Sequence, residues 1–394
     1  MQNSPFDQLD LLNPTSDSEH YLKRLEELVR ESGDLHKVFD VKMLRKKFSL
    51  GLPLSRPTSL QDVPEPLRKE VEETYVESAR EVGQAFLEKG EIGSAWMYFQ
   101  VIREPGPVAE AIDALPDQIE DYDKQEEIVR IGLYEGVNPP KAVKIMLNGQ
   151  GTCSTITALE QGMQTLSQEY RQECAKVLVR SLYSDLTESV RNHVQQKVPM
   201  LPPGESLKSL LVGRDWILEG GNYHIDVSHL NAVVRFARSI EAPAEELKLA
   251  DELALYGSKL DPSLQYGGEP PFEDFYPAHQ QFFNVLLDRN REEGLQYFRD
   301  KLTAEPDEQD RPILAYVLVD LLIRSGELEE AVTVSAKYLA QLNEEVSISF
   351  DELCVDAKRF DVLKETRREQ GDLVGYASAC LRDQQPTESA ANKD

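Results

Sequence analysis

Gly90-Glu91-Ile92 has three counterparts along the chain: Gly33-Asp34-Leu35, Gly326-Glu327-Leu328 and Gly371-Asp372-Leu373. Each follows a stretch whose apolar residues recur with helical spacing. With 22 glycines in 394 residues, chance would not supply four such triplets. Glycine ends a helix in the left-handed conformation without a Cβ clash. The acid then stands at the positive end of the next helix, and the aliphatic residue opens that helix's buried face. A chain punctuated in this way is predicted to be all-α, a helical-hairpin repeat array.

The helical pattern extends on both sides of Gly90. Before it, residues 66–89 place Val71, Tyr75, Ala79, Val82 and Phe86 three or four residues apart. Leu22, Leu25 and Leu28 stripe an earlier helix, which Ser16-Asp17-Ser18-Glu19 opens as a capping box. Residues 1–15 mix Asn, Pro, Asp and Ser without periodicity and read as a flexible N-terminus. After Gly90 the period continues through Ile112, Ile119, Ile128 and Ile131. Pro139-Pro140 opens another helix, residues 149–154 read as a turn, and helices follow to about Gln196.

The largest interruption, Pro199 to Tyr223, carries Pro202-Pro203-Gly204 and Gly220-Gly221, with a short helix around Leu207 to Leu211. It is a lobe boundary or a sharp bend. The expected organisation is an N-terminus (1–15), a first helical lobe (16–198), a connector (199–226), a second helical lobe (227–382) and a polar tail (383–394). Within the second lobe, residues 261–276 form a further long connector. No stretch alternates as a strand.

Residues 79–107 resemble a tetratricopeptide repeat. Val82-Gly83 matches the Leu-Gly pair of that family, and Phe86 its first-helix aromatic. Gly90 falls at the turn, Ala95 and Phe99 at the small and aromatic positions of the second helix, and Pro107 at the closing proline. Partial matches occur at Val285, Gly294, Phe298 and Pro306, and at Leu322, Gly326, Leu328 and Ala331, where Ser335 replaces the aromatic. No copy directly follows Pro107, and Ala79 stands where the family has a tryptophan. The resemblance implies a tetratricopeptide-like α-solenoid, in which small residues let helices cross closely and aromatics fill the space between hairpins.

Composition narrows the functional classes. Apolar residues make up 40% of the chain and charged residues 29%, enough for a sizeable core in an ordinary soluble protein. The longest apolar run, Pro312 to Ile323, is interrupted by Asp320 and is too short to span a bilayer. The N-terminus lacks the pattern of a signal peptide. Four scattered cysteines, with no CxxC, imply neither a disulfide framework nor a cysteine zinc site. A cytoplasmic location is the expectation. Lys plus Arg number 43 against 70 Asp plus Glu, a net charge of −27. Such a surface repels nucleic acid and anionic membrane and favours a basic partner. The run Lys42 to Lys47 reads as a solvated helix face.

Four constellations are candidates for function. His224-x-Asp226-x-x-His229 offers three metal-ligand types in six residues and could activate a metal-bound water. Its other reading is a capping network at the start of a helix. Gly149-Gln150-Gly151-Thr152-Cys153-Ser154 resembles a phosphate-cradling turn, yet it has no P-loop lysine and reads as an inter-helix turn capped by Thr152. Tyr266, Phe272, Asp274, Phe275 and Tyr276, with His279 just beyond, form either a lid or docking surface, or a plug of buried aromatics. Arg80 and Gln84 lie four apart on the face that, by the resemblance, lines the inner groove; they could grip a peptide backbone or carboxylate.

These features point to a non-catalytic interaction protein. No cofactor is implied, and the expected partner is a protein or peptide segment that is basic or mixed basic and apolar. The alternative is an all-α metal-dependent or hydrolytic enzyme using His224, Asp226 and His229.

Overall fold

The computed structural model describes residues 4–198, 200–202, 204–340 and 349–384. Helices dominate, and among the described residues the only β-pairing is an isolated bridge between Gly267 and Asp274. No described helix is long and apolar enough to cross a membrane. Two compact units divide the chain, residues 1–162 and 163–394.

The first unit contains α1 (Pro5–Asp10), α2 (Ser18–Ser32), α3 (Leu35–Ser49), α4 (Glu65–Glu88), α5 (Ile92–Val101), α6 (Gly106–Asp113), α7 (Tyr122–Val129), a π-helical turn (Arg130–Tyr134) and α8 (Pro139–Gly162). Successive helices from α2 to α6 pack on one another in chain order. The second unit contains α9 (Gln168–Gln195), α10 (Leu207–Leu211), α11 (Val227–Phe236), α12 (Glu245–Ser258), α13 (Phe275–Leu286), α14 (Arg291–Ala304), α15 (Arg311–Ser325), α16 (Leu328–Tyr338), α17 (Phe350–Asp356), α18 (Phe360–Glu369) and α19 (Leu373–Arg382). Here α10, α11 and α12 pack against α9, and each helix from α12 to α19 packs on its successor.

All four triplet glycines sit at helix ends with positive φ, between 71° and 84°. The acids then divide by length. Asp34 and Asp372 cap α3 and α19, accepting from the N–H of Lys37 and Gly375. Glu91 and Glu327 occupy the same position without a side-chain cap bond, because the extra methylene carries the carboxylate past the first-turn N–H groups. The aliphatic residue opens a buried face only at Ile92; Leu373 is 79% exposed. At Gly90 and Gly326 an added Cβ would meet nothing within 4 Å, so substitution there strains the backbone alone. Gly90→Val and Gly326→Val should each destabilise by about 1–2 kcal/mol. Urea unfolding midpoints unchanged from the parent would contradict the turn assignment.

The residues carrying the repeat resemblance make the close crossings their size permits. A Cβ at Gly83 would lie 2.7 Å from the Phe99 ring, so α4 and α5 can approach only because position 83 has no side chain. At Gly294 a Cβ would lie 2.6 Å from Val285, which brings α13 and α14 together likewise. Phe39, Tyr75, Phe86 and Tyr98 fill the space between α3, α4 and α5, with Phe86 and Tyr98 stacked at 5.8 Å and Phe39 edge-on to Tyr75 at 5.0 Å.

Several expectations require correction. Residues 5–10 of the expected flexible N-terminus are helical, because Ser4 and Asp7 form a reciprocal capping box. Helix α2 is capped by Asp17, which accepts from His20 N–H; Ser16 instead donates to the Asn13 carbonyl. Residues 149–154 hold the break between two helical stretches. A single residue, Gly151 (φ 81°, ψ 172°), breaks α8, and helical structure continues on both sides. Helix α10, within the expected connector, packs on α9 and α12. Residues 385–394 of the expected tail lie outside the described residues.

The run Lys42 to Lys47 is not a solvated face. Lys42 pairs with Glu81 at 2.6 Å, Lys46 with Glu70 at 2.7 Å, and Arg45 with Glu19. Lys47 is buried, with Nζ donating to the Arg56 carbonyl at 2.6 Å.

Candidate functional site: a groove along helix α4

One exposed line of α4 is built from Glu77, Arg80, Glu81 and Gln84, spaced three or four residues apart and so on one face. Two open recesses adjoin this line and share Glu77 and Glu81. The larger, about 470 Å³, is also lined by Arg80, Gln84, Phe99 and Pro107. The smaller, about 330 Å³, is lined by residues of α2, α3 and α4. Arg80 and Gln84 thus share one recess, together with Phe99 from α5 and Pro107 from α6. The turns at Gly90 and at residues 102–105 return the chain so that α5 and α6 supply these walls.

Arg80 is not free in this groove. Its guanidinium donates two bonds to Glu104, Nε to Oε2 at 2.9 Å and Nη2 to Oε1 at 2.6 Å. The pairing raises the pKa of Arg80 and lowers that of Glu104. A ligand carboxylate would have to displace Glu104, which weakens the expectation that Arg80 grips one. Glu77, exposed and central to both recesses, has no hydrogen bond or close ion pair among the described residues, and its charge is felt by Arg80 one turn on. In the smaller recess charge is nearly balanced. Glu26 lies within 4 Å of Arg30, Lys42 and Arg45, and Glu81 pairs with Arg30 and Lys42. The acidity of the whole chain is therefore not concentrated there.

The aromatic connector turns inward. Phe272, Phe275, Tyr276 and His279 are buried, whereas Tyr266 is 53% exposed and edge-on to Phe275. Asp274 is exposed and precedes α13 without a side-chain cap bond, while its carbonyl accepts from Ala278 N–H. Phe272, Phe275, Tyr276 and His279 thus pack into the second unit, while Tyr266 and Asp274 remain at its surface. His279 Nδ1 donates to the Phe275 carbonyl at 2.7 Å, and the ring stacks on Phe272 at 4.4 Å. Its Nε2 has no hydrogen-bond partner among the described residues. Burial, with Arg238 nearby, pushes the imidazole pKa down to about 3.

His224, Asp226 and His229 do not converge. Asp226 caps α11, accepting from the N–H and hydroxyl of Ser228 at 2.8 and 2.6 Å. His224 turns instead to Tyr256 (Nδ1 to Oη, 3.0 Å) and to His193 (Nε2 to Nδ1, 2.9 Å). The buried Tyr256 hydroxyl also accepts from the backbone N–H of His224. Burial, and then His193, hold its pKa at about 4. Among the described residues no three His, Cys, Asp or Glu side chains are placed to hold a metal.

No family model matches this chain, and neither does any curated protein or solved structure. The groove residues missed from sequence are Glu77, Glu81, Phe99 and Pro107. The spacing of Glu77 and Glu81 with Arg80 and Gln84 was a usable signal; the arrival of Phe99 and Pro107 at that face depends on tertiary packing.

Proposed function

We propose that the chain is a non-catalytic interaction protein, built as a tetratricopeptide-like solenoid, that holds a basic or mixed basic–apolar segment of a partner protein along α4. The observation that carries this reading is the larger recess, where the half-buried ring of Pro107 adjoins the exposed carboxylate of Glu77, which has no hydrogen bond or close ion pair among the described residues. An aliphatic side chain fits against Pro107, and a lysine or arginine beside it fits Glu77. The net charge of −27 raises the local concentration of cationic segments and speeds encounter.

The test uses fluorescence anisotropy of the full chain with a labelled lysine–leucine peptide and a glutamate–leucine counterpart. The basic peptide should bind and weaken as the Debye length falls from about 10 Å at 0.1 M salt to about 3 Å at 1 M. Gln84→Trp fills the recess without altering charge and should reduce affinity at least tenfold. Salt-independent binding, equal binding of the acidic peptide, or unaltered affinity of Gln84→Trp would each defeat the reading.

A further inference from the structure

The two ends of the groove differ in electrostatic character. On the α3 side every cation of the rim is already paired: Lys42, Arg45 and Lys46 each face a carboxylate. On the α6 side the charges are acidic, and some are unpaired. Residues 104–127 contain nine acids and one base, Lys124. Some of these acids have structural partners: Glu104 holds Arg80, Asp117 holds Lys141, and Asp121 caps α7. Glu110 and Asp113, both exposed on α6, have no such partner among the described residues.

Their position relative to the recess follows from helix geometry. Pro107, which walls the larger recess, lies one turn before Glu110, and Glu110 one turn before Asp113. Helix α6 packs against both α4 and α5. The unpaired acids therefore begin one turn beyond Pro107. Glu77, also unpaired, stands across the same recess on α4.

Resting on the reading of the groove as a segment-binding site, we infer that the groove is polarised and seats its partner in one orientation. An apolar side chain occupies the recess beside Pro107. Lysine or arginine side chains lie over Glu110, Asp113 and Glu77. The other end of the segment, neutral or acidic, lies towards Lys42, Arg45 and Lys46. Coulomb attraction from unpaired exposed carboxylates favours this orientation, and cations already held by Glu19, Glu26, Glu70 and Glu81 add nothing to the attraction of a basic end.

The probe is a labelled peptide with a lysine cluster at one end, leucine in the middle and a glutamate cluster at the other. It is titrated against the full chain and three variants by fluorescence anisotropy at low salt. Glu110→Lys/Asp113→Lys should weaken binding at least tenfold and flatten its salt dependence. Glu365→Lys/Glu369→Lys, exposed on α18 and changing net charge by the same amount, should alter affinity less than twofold. Gln84→Trp reports the recess itself. Equal weakening by the two charge reversals would mean that bulk charge alone acts, and the polarity is refuted. Loss of binding in Gln84→Trp with none in Glu110→Lys/Asp113→Lys would likewise refute the polarity while leaving the groove reading intact. No binding by the parent chain would remove both. Circular dichroism melts of the variants separate these outcomes from unfolding, since all the replaced groups are exposed.

Discussion

Arg324→Met should destabilise the second unit by about 3–5 kcal/mol. The Arg324 guanidinium is nearly buried, its side chain 6% exposed, and it serves four acceptors at once. It donates to Glu241 at 3.1 Å, to Asp320 at 3.0 Å, and to the carbonyls of Arg238 and Ile240 at 2.8 and 2.6 Å. Removing it leaves a partly buried carboxylate at Asp320, whose pKa burial already raises, and two backbone carbonyls without that donor. The loss exceeds that of an ordinary ion pair because each orphaned group bears its own desolvation penalty. Arg68→Met provides the contrast. It removes a pair with Glu72 in which both side chains are 47% exposed, and it should alter stability by no more than about 0.5 kcal/mol. Urea unfolding of both variants tests the claim; similar losses in the two would show that the Arg324 cluster is not what joins residues 238–241 to α15.

Stability should also fall on mild acidification, by about 2 kcal/mol between pH 6.5 and pH 5 through His279 alone. The sign follows from the direction of the shift. In the unfolded chain His279 takes up a proton near pH 6.5. In the folded protein burial among Phe272, Phe275 and Phe283, with the guanidinium of Arg238 nearby, delays protonation to about pH 3. The unfolded state therefore binds more protons throughout that window. Stability is full above pH 6.5 and declines as pH falls towards 3. His224, held at about 4 by burial and by His193, acts in the same direction, but its partial exposure makes its share smaller. His279→Leu removes the buried imidazole and should flatten the pH dependence of the urea midpoint between pH 6.5 and 5. A variant with the same slope as the parent would show that His279 does not carry the effect.

The parts of this fold legible in the sequence were those that depend on near neighbours. Gly90 and Gly326 end helices because the left-handed conformation costs glycine little, a property of one residue. Asp34 and Asp372 cap because a short carboxylate reaches an N–H three residues on. Leu207 to Leu211 was legible as a short helix on the same local grounds. Gly83 and Phe99 were legible as a crossing once their positions in a repeat were matched, since only the smallest residue admits a ring at that distance.

The candidate site was only half legible. Arg80 and Gln84 share a recess, yet the Glu104 that occupies Arg80 lies 24 residues away and its approach requires the turn between α5 and α6. The basic run from Lys42 looked solvated because its acids, Glu19, Glu26, Glu70 and Glu81, come from two other helices. The aromatics from Phe272 to Tyr276 read equally well as an outward surface or an inward plug, because composition says how much apolar area exists and not which way it faces. His224 likewise left a local motif for His193 and Tyr256, 31 and 32 residues distant.

Helix boundaries, hairpin turns and the all-α class were therefore determined by the sequence itself, through interactions spanning one to four residues whose geometry any chain would repeat. The tertiary structure alone decided which charges remain available to a partner. Glu77, Glu110 and Asp113 differ from Glu81 and Glu104 in no local respect. Among the described residues no distant cation is folded onto them, as one is onto Glu81 and Glu104, and that depends on where remote helices come to rest.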